Sequence, residues 1–211
     1  GGFIPVVCIY STFMQRCYDQ ILHDVALQNL HVVLCLDRAG VVGEDGYTHH
    51  GSFDIAYTNH IPNLVSMAPK DQTELMAMIE FSIEKVKGPV SIRYPRGVAT
   101  KDDKLQISES KIKIGKAEVL RVGEDVAILA IGCMAYTALE AAHILSEDKI
   151  SAEIVNMRFI KPLDEEFIKR LCQRIKYIVT VEDGCIRGGF GWAVLDAINR
   201  LVIEDIKIKI L

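Results

Sequence analysis

Short apolar runs alternating with amphipathic stretches set the plan of this chain. Residues 3–10 (F-I-P-V-V-C-I-Y), 31–36 (H-V-V-L-C-L), 63–67 (N-L-V-S-M) and 89–93 (P-V-S-I-R) are short, rich in β-branched residues and bounded by polar or turn residues. That is the pattern of buried strands. Between the first two, Phe13, Cys17, Ile21, Leu22, Val25 and Ala26 recur at helical spacing behind Ser11 and Thr12, either of which can cap a helix. Between the last two, Asp71 can cap a helix whose apolar stripe is Leu75, Met76, Met78, Ile79, Ile83 and Val86, stopped by Gly88. Strand-helix-strand-loop-strand-helix-strand implies right-handed crossovers and a mainly parallel sheet.

The second half repeats the alternation. Strands are expected at residues 116–122 and 126–131, joined by the turn Gly123-Glu124-Asp125, then at 152–157, 177–182 and 206–211. Helices are expected at 135–145, at 165–174 behind Pro162-Leu163-Asp164, and at 192–201 behind the Gly-rich turn 183–191. The fold class is therefore α/β: two mainly parallel-sheet domains, residues 1–97 and 115–211, with a charged linker at 98–114. The opening Gly1-Gly2, running straight into a strand, reads as the interior of a longer protein.

Composition narrows the function classes. A net charge of −4 gives no support for nucleic-acid binding. No apolar run approaches a membrane span, and no signal peptide is visible. The six cysteines form no C-x-x-C pair and mostly lie in apolar surroundings, so they read as reduced core thiols of a reducing compartment. The histidines and cysteines lack zinc-ligand spacing.

Candidate chemistry gathers in the stretch Asp37 to Asp54, D-R-A-G-V-V-G-E-D-G-Y-T-H-H-G-S-F-D, which follows a strand. Long polar loops at strand ends are where open α/β sheets place ligands, although glycines relieving turns in a solvated loop would look the same. Phe13 and Arg16 fall in the first turn of a helix beside a strand end, a position suited to a polar ligand, but a core phenylalanine and a surface arginine also fit. The ligand loops 10–16, 38–50 and 93–96 should meet at one edge of the sheet. The Gly-rich turn 183–191 lacks the Lys-Ser/Thr of a P-loop and the spacing of a dinucleotide fingerprint, and reads as a packing turn.

Y-S-T-F-M-Q-R-C-Y-D-Q, the 37–54 stretch and R-Y-P-R-G, followed by V-N-M-R-F-I-K-P-L-D and T-V-E-D-G-C-I-R-G-G-F-G, resemble the 1-deoxy-D-xylulose-5-phosphate synthase family. That family is transketolase-like and thiamine-diphosphate-dependent. The resemblance runs over essentially the whole chain. It implies a transketolase-type pyrimidine-binding domain without its N-terminal part, and a transketolase C-terminal domain without its end. The family condenses pyruvate with glyceraldehyde 3-phosphate, losing carbon dioxide, and feeds isoprenoid, thiamine and pyridoxal synthesis. It also implies a cytoplasmic homodimer using thiamine diphosphate and Mg²⁺.

By motif, the resemblance makes Phe13 a stacking partner for the aminopyrimidine, with Arg16 beside it, both cofactor-binding. It puts Tyr10, Arg38, Asp45 and Arg96 on the substrate side and makes His49 the catalytic acid-base. Guanidinium forks suit a sugar phosphate, and an imidazole suits proton transfer near neutral pH. The T-H-x-G spacing selects His49 over His50. The family's diphosphate–Mg²⁺ signature is absent: Glu44-Asp45-Gly46 and Glu182-Asp183-Gly184 lack its leading Gly and distant Asn, so no metal ligand is expected here. The activating glutamate would precede Gly1. The chain alone is therefore expected to be inactive, dependent on a missing N-terminal domain. The rival expectations are a transketolase-like enzyme with another acceptor, and a non-catalytic dimerisation module.

Overall fold

The computed structural model describes residues 2–97 and 112–211. Most of the expected linker lies outside them. In the first half, β1 (Val6–Tyr10) leads into α1 (Ser11–Met14), a 3₁₀ turn (Gln15–Cys17), α2 (Tyr18–Gln20) and a π-helical turn (Ile21–Ala26). There follow β2 (Val33–Asp37), 3₁₀ turns at Gly43–Asp45 and Tyr47–His49, α3 (Asp54–Asn59), β3 (Val65–Met67), α4 (Gln72–Glu84) and β4 (Val90–Arg93). The second half carries β5 (Glu118–Arg121), β6 (Val126–Ala130), α5 (Met134–Glu147), β7 (Ala152–Asn156), β8 (Phe159–Lys161), α6 (Glu165–Arg174), β9 (Tyr177–Val181), α7 (Phe190–Arg200) and β10 (Lys207–Ile210).

Two five-stranded sheets result, ordered β1-β2-β4-β3-β8 and β10-β9-β6-β7-β5. Within each, four strands run parallel and one edge strand, β8 or β5, runs antiparallel. The mainly parallel α/β architecture matches the reading of the alternation.

Several local expectations are corrected. The helix after β1 is broken: side chains at helical spacing still bury Met14, Ile21 and Ala26, but the backbone passes through 3₁₀ and π geometry. Neither Ser11 nor Thr12 caps it. Ser11 donates to Gly51 O at 3.4 Å and Thr12 to Thr48 O at 3.3 Å, so both hydroxyls hold the 37–54 loop instead. β1 is not a buried strand but the outer edge of its sheet, with Phe3 91% exposed. Strands β5 and β6, consecutive in sequence, do not pair; β5 lies against β7. Only Cys35 and Cys172 are buried, although all six cysteines are free.

α4 starts where Asp71 accepts from Glu74 N at 2.8 Å, while Glu74 reaches back to Lys70 N at 2.7 Å, close to a capping box. α6 starts where Asp164 accepts from Phe167 N at 3.1 Å. The alternation along the sequence predicts neither helix α3 nor strand β8. β8 carries the second half into the first sheet: it pairs with β3, and Phe159 packs with Val33, Met67, Met78 and Ile92. Ile112 joins that same core.

The halves also share a buried ionic cluster. Lys70 Nζ lies 3.3 Å from Glu74 and 3.1 Å from Glu118; Arg158 lies 2.6 Å from Glu74 and 2.9 Å from Glu118. Asn156 Nδ2 donates to Glu74 at 3.1 Å. Lys70 and Glu74 come from the first half and the others from the second. Among the described residues, no helix is long and apolar enough to cross a membrane.

Candidate active site

Strand order assembles the site. β1, β2 and β4 lie side by side and parallel, so the segments leaving their C-terminal ends emerge together. Those segments carry Tyr10 with Phe13, Arg38 with His49, and Arg96. Ala39 N donates to Tyr94 O and Tyr94 N to Leu36 O, both at 3.0 Å, which ties the β2 exit to the β4 exit.

The loop after β2 closes on itself. Gly40 N donates to Gly51 O at 2.9 Å and Gly51 N to Gly40 O at 2.8 Å. Gly51 is there for lack of room: an added Cβ would stand 2.4 Å from Arg38 O and 2.5 Å from Ser11 Oγ. Arg38 itself has a left-handed backbone, φ 57°, and its N–H donates to Asp37 Oδ1 at 2.7 Å. Inside the loop, Val42 N donates to His50 Nδ1 at 3.2 Å. That nitrogen must be unprotonated, and His50 serves the loop's internal structure. His49 takes the other direction, toward the aromatic rings.

There Tyr10 and Phe13 stack, ring centroids 5.4 Å apart and planes 18° from parallel. The His49 ring stands edge-on to Phe13 at 5.5 Å and to Tyr10 at 6.5 Å. The Arg16 guanidinium lies 5.6 Å from the Phe13 centroid, and that of Arg38 lies 3.8 Å from the Tyr10 centroid. Asp45 Oδ2 accepts from Arg38 Nε at 2.6 Å and stands 3.4 Å from Arg96 Nε. All seven residues singled out in the sequence thus form one contiguous cluster. Asp45 engages both arginines through Nε, while Arg38 Nη1 also lies 3.9 Å from Asp37 Oδ2. Arg38 and Arg96 also line a cavity of about 700 Å³ together with Asp37, Lys70, Tyr94 and Cys133. Burial pushes the Cys133 thiol up to about 11, so at neutral pH it is a protonated wall residue rather than a nucleophile.

Sequence reasoning missed the layer behind this cluster. Buried Arg93 donates to Asp54 at 2.9 Å and also bonds Asp183 of the Gly-rich turn. Burial alone would lower the guanidinium's pKa, but the Asp54 and Asp183 carboxylates outweigh it and hold the charge firmly. Arg93 and Asp54 lie within the motif stretches, yet no spacing rule joins either of them to Asp183.

The aromatic platform, partly exposed and flanked by cations, fits the ring half of thiamine diphosphate. For a divalent metal, no group of three His, Cys, Asp or Glu side chains comes together among the described residues.

Comparisons with known proteins agree on one family. Residues 1–101 match the description "Transketolase, pyrimidine binding domain", and residues 115–211 match "Transketolase, C-terminal domain". The chain is 56% identical over 93% of its length to 1-deoxy-D-xylulose-5-phosphate synthase of Gloeobacter violaceus, covering 31% of that protein. It is 51% identical over 99% of its length to the same-named protein of Trichodesmium erythraeum, covering 33%. The chain thus spans about a third of the length of these relatives. Among solved structures it is similar to a split-gene transketolase described as an inactive β4 tetramer: TM-score 0.87, 29% identity, 99% of this chain and 66% of that one covered.

Proposed function

The chain belongs to the transketolase family, and from that premise we propose that it is the pyrimidine-binding and C-terminal portion of a thiamine-diphosphate-dependent synthase. The whole protein condenses pyruvate with glyceraldehyde 3-phosphate, releasing carbon dioxide and forming 1-deoxy-D-xylulose 5-phosphate. The observation that carries this reading is the Arg38–Asp45–Arg96 cluster set against the Tyr10–Phe13–His49 shelf. The resemblance of the relatives bearing that enzyme's name supports it.

Phe13 stacks on the aminopyrimidine, with Arg16 alongside. Thiamine diphosphate, held there by Phe13 and Arg16, would supply a carbon nucleophile for pyruvate. Arg38 and Arg96 bind the aldehyde's phosphate, each charged hydrogen bond contributing roughly 1.5–3 kcal/mol. Asp45 keeps the two guanidinium groups at a fixed separation despite their mutual repulsion, and with Tyr10 it faces the substrate hydroxyls. His49 delivers a proton to the aldehyde oxygen as the carbon–carbon bond forms.

We propose that the diphosphate and Mg²⁺ are held by the part of the relatives' length that this chain does not span. We therefore propose that the 211-residue chain is catalytically silent by itself. Stacking on one aromatic ring contributes about 0.5–1.5 kcal/mol beyond area burial, against the roughly 8 kcal/mol behind micromolar affinity. The solved relative described as an inactive β4 tetramer supports both silence and self-association; we propose a homodimer in the cytoplasm, symmetric dimers being the commonest soluble assembly.

The test has two arms. Calorimetry of this chain with thiamine diphosphate and Mg²⁺ is expected to show no micromolar binding. In the complete protein, glyceraldehyde 3-phosphate is expected to turn over and unphosphorylated glyceraldehyde to fail. Equal use of both acceptors would overturn the phosphate assignment and favour a transketolase-like enzyme of other specificity.

A further inference from the structure

The Gly-rich turn of the second half packs against α3 at the base of the site. Gly188 faces Ala56 of α3 and Gly184 faces Ile55; a Cβ added at either would lie 3.4 Å from those side chains. At the head of the turn, the Asp183 carboxylate has two engagements. One oxygen, Oδ1, accepts from Arg93 Nη1, where β4 ends. The other, Oδ2, abuts Gly40: a Cβ built there would stand 2.4 Å from it. Gly40 is one half of the reciprocal Gly40–Gly51 pair that closes the loop bearing Asp45 and His49. Arg93 is three residues before Arg96. Both guanidinium-bearing segments therefore rest on a single side chain from the other half of the chain.

We propose that Asp183 is a positioning residue: by holding Arg93 and packing on Gly40, it sets the separation of Arg38 and Arg96 and so the geometry of the phosphate fork. The side chain is only 16% exposed and Arg93 only 4%, so the contact is shielded from competing water. Gly40, with φ 76°, leaves room for this carboxylate and for little more. The positioning is a matter of geometry within this chain; its meaning for phosphate binding rests on the function proposed above.

Amide hydrogen exchange of the 211-residue chain tests it. In Asp183→Ala the Gly40 and Gly51 amides, each bonded to the other's carbonyl, are expected to exchange at least about tenfold faster, with the β6 amides unchanged. Asp183→Asn keeps the shape and an acceptor for Arg93, and is expected to restore most of the protection. Asp183→Ser, which keeps a small polar side chain too short to reach both Arg93 Nη1 and Gly40, is expected to loosen the same two amides. It carries the test if Asp183→Ala fails to fold. Unchanged exchange at Gly40 and Gly51, or a uniform rise across both sheets, would overturn the proposal.

A parallel titration with glycerol 3-phosphate separates the two readings. Failure of the unmutated chain to bind it would count against Arg38 and Arg96 as a phosphate site and leave the exchange result to decide Asp183. Binding that is unaffected by Asp183→Ala would refute the positioning role.

Discussion

Glu74 should be the most costly single carboxylate to remove from this molecule. It is fully buried and accepts from Lys70 N at 2.7 Å, Lys70 Nζ at 3.3 Å, Asn156 Nδ2 at 3.1 Å and Arg158 Nε at 2.6 Å. Two of these donors are cations, and hydrogen bonds to charged groups contribute about 1.5–3 kcal/mol each, a gross loss of roughly 3–6 kcal/mol for Glu74→Ala. Glu118 remains 3.1 Å from Lys70 and 2.9 Å from Arg158 and offsets part of that. Removing one partner of a buried ion pair costs about 3–5 kcal/mol, and the compensation by Glu118 places this variant at the lower end, about 3–4 kcal/mol. Against a total stability of roughly 5–15 kcal/mol, that is a large fraction. At about 2–4 °C per kcal/mol for a chain of this size, Tm should fall by about 6–16 °C.

The assay is urea denaturation followed by far-ultraviolet circular dichroism and by the fluorescence of Trp192, the sole tryptophan, which reports on the second half. Because the cluster joins the halves, the two signals should coincide in the unmutated chain and separate in Glu74→Ala. A loss below about 1 kcal/mol would refute the reasoning, since it would mean that Lys70 and Arg158 find solvent or other partners at no cost.

Three further outcomes are expected. In the complete protein, His49→Ala should lower kcat by roughly 10²–10⁴, measured at saturating substrates; a loss under threefold would remove it as the acid-base group. Arg96→Ala should raise KM for the phosphorylated aldehyde and spare pyruvate, and an equal effect on both in steady-state kinetics would point to a structural role. Burial holds the Glu182 carboxyl above its ordinary value, against lowering contributions from the Gly191 and Phe190 amides and Arg93. The folded chain therefore keeps a proton that the unfolded chain has released, and stability falls as pH rises from the ordinary carboxylate range through the raised value. Glu182→Gln should flatten that slope in thermal melts taken across pH, and an unchanged slope would assign it to another group.

How much of this was legible in advance depends on the range of the interaction. Periodicity and capping are local, so Pro162-Leu163-Asp164 places α6 at its observed bounds, and the parallel α/β plan follows from the alternation alone. The resemblance carried by the motif stretches picks out Tyr10, Phe13, Arg16, Arg38, Asp45, His49 and Arg96, because each stretch is continuous in sequence. What those stretches could not reveal was why they meet. Arg96 reaches Arg38 because β4, the fourth strand in sequence, lies directly beside β2. Adjacent strands lie about 5 Å apart, and one more strand between them would have put the two guanidinium groups beyond the reach of Asp45. Strand order is decided by long-range packing, which no window of residues contains.

The same reason hid β8, whose three residues form a strand only because β3 offers them an edge and Phe159 a core to fill. It also hid the ionic cluster around Lys70 and Glu74: a Lys-x-x-x-Glu spacing reads as an exposed helix pair until Glu118, Asn156 and Arg158 arrive from the other half. The sequence by itself determined the layered α/β plan and the chemical repertoire, because both are encoded by neighbours along the chain. Only the tertiary structure decided that Asp183 stands behind the site and that the two halves share a buried network, because those contacts join residues that fold close together but lie far apart in sequence.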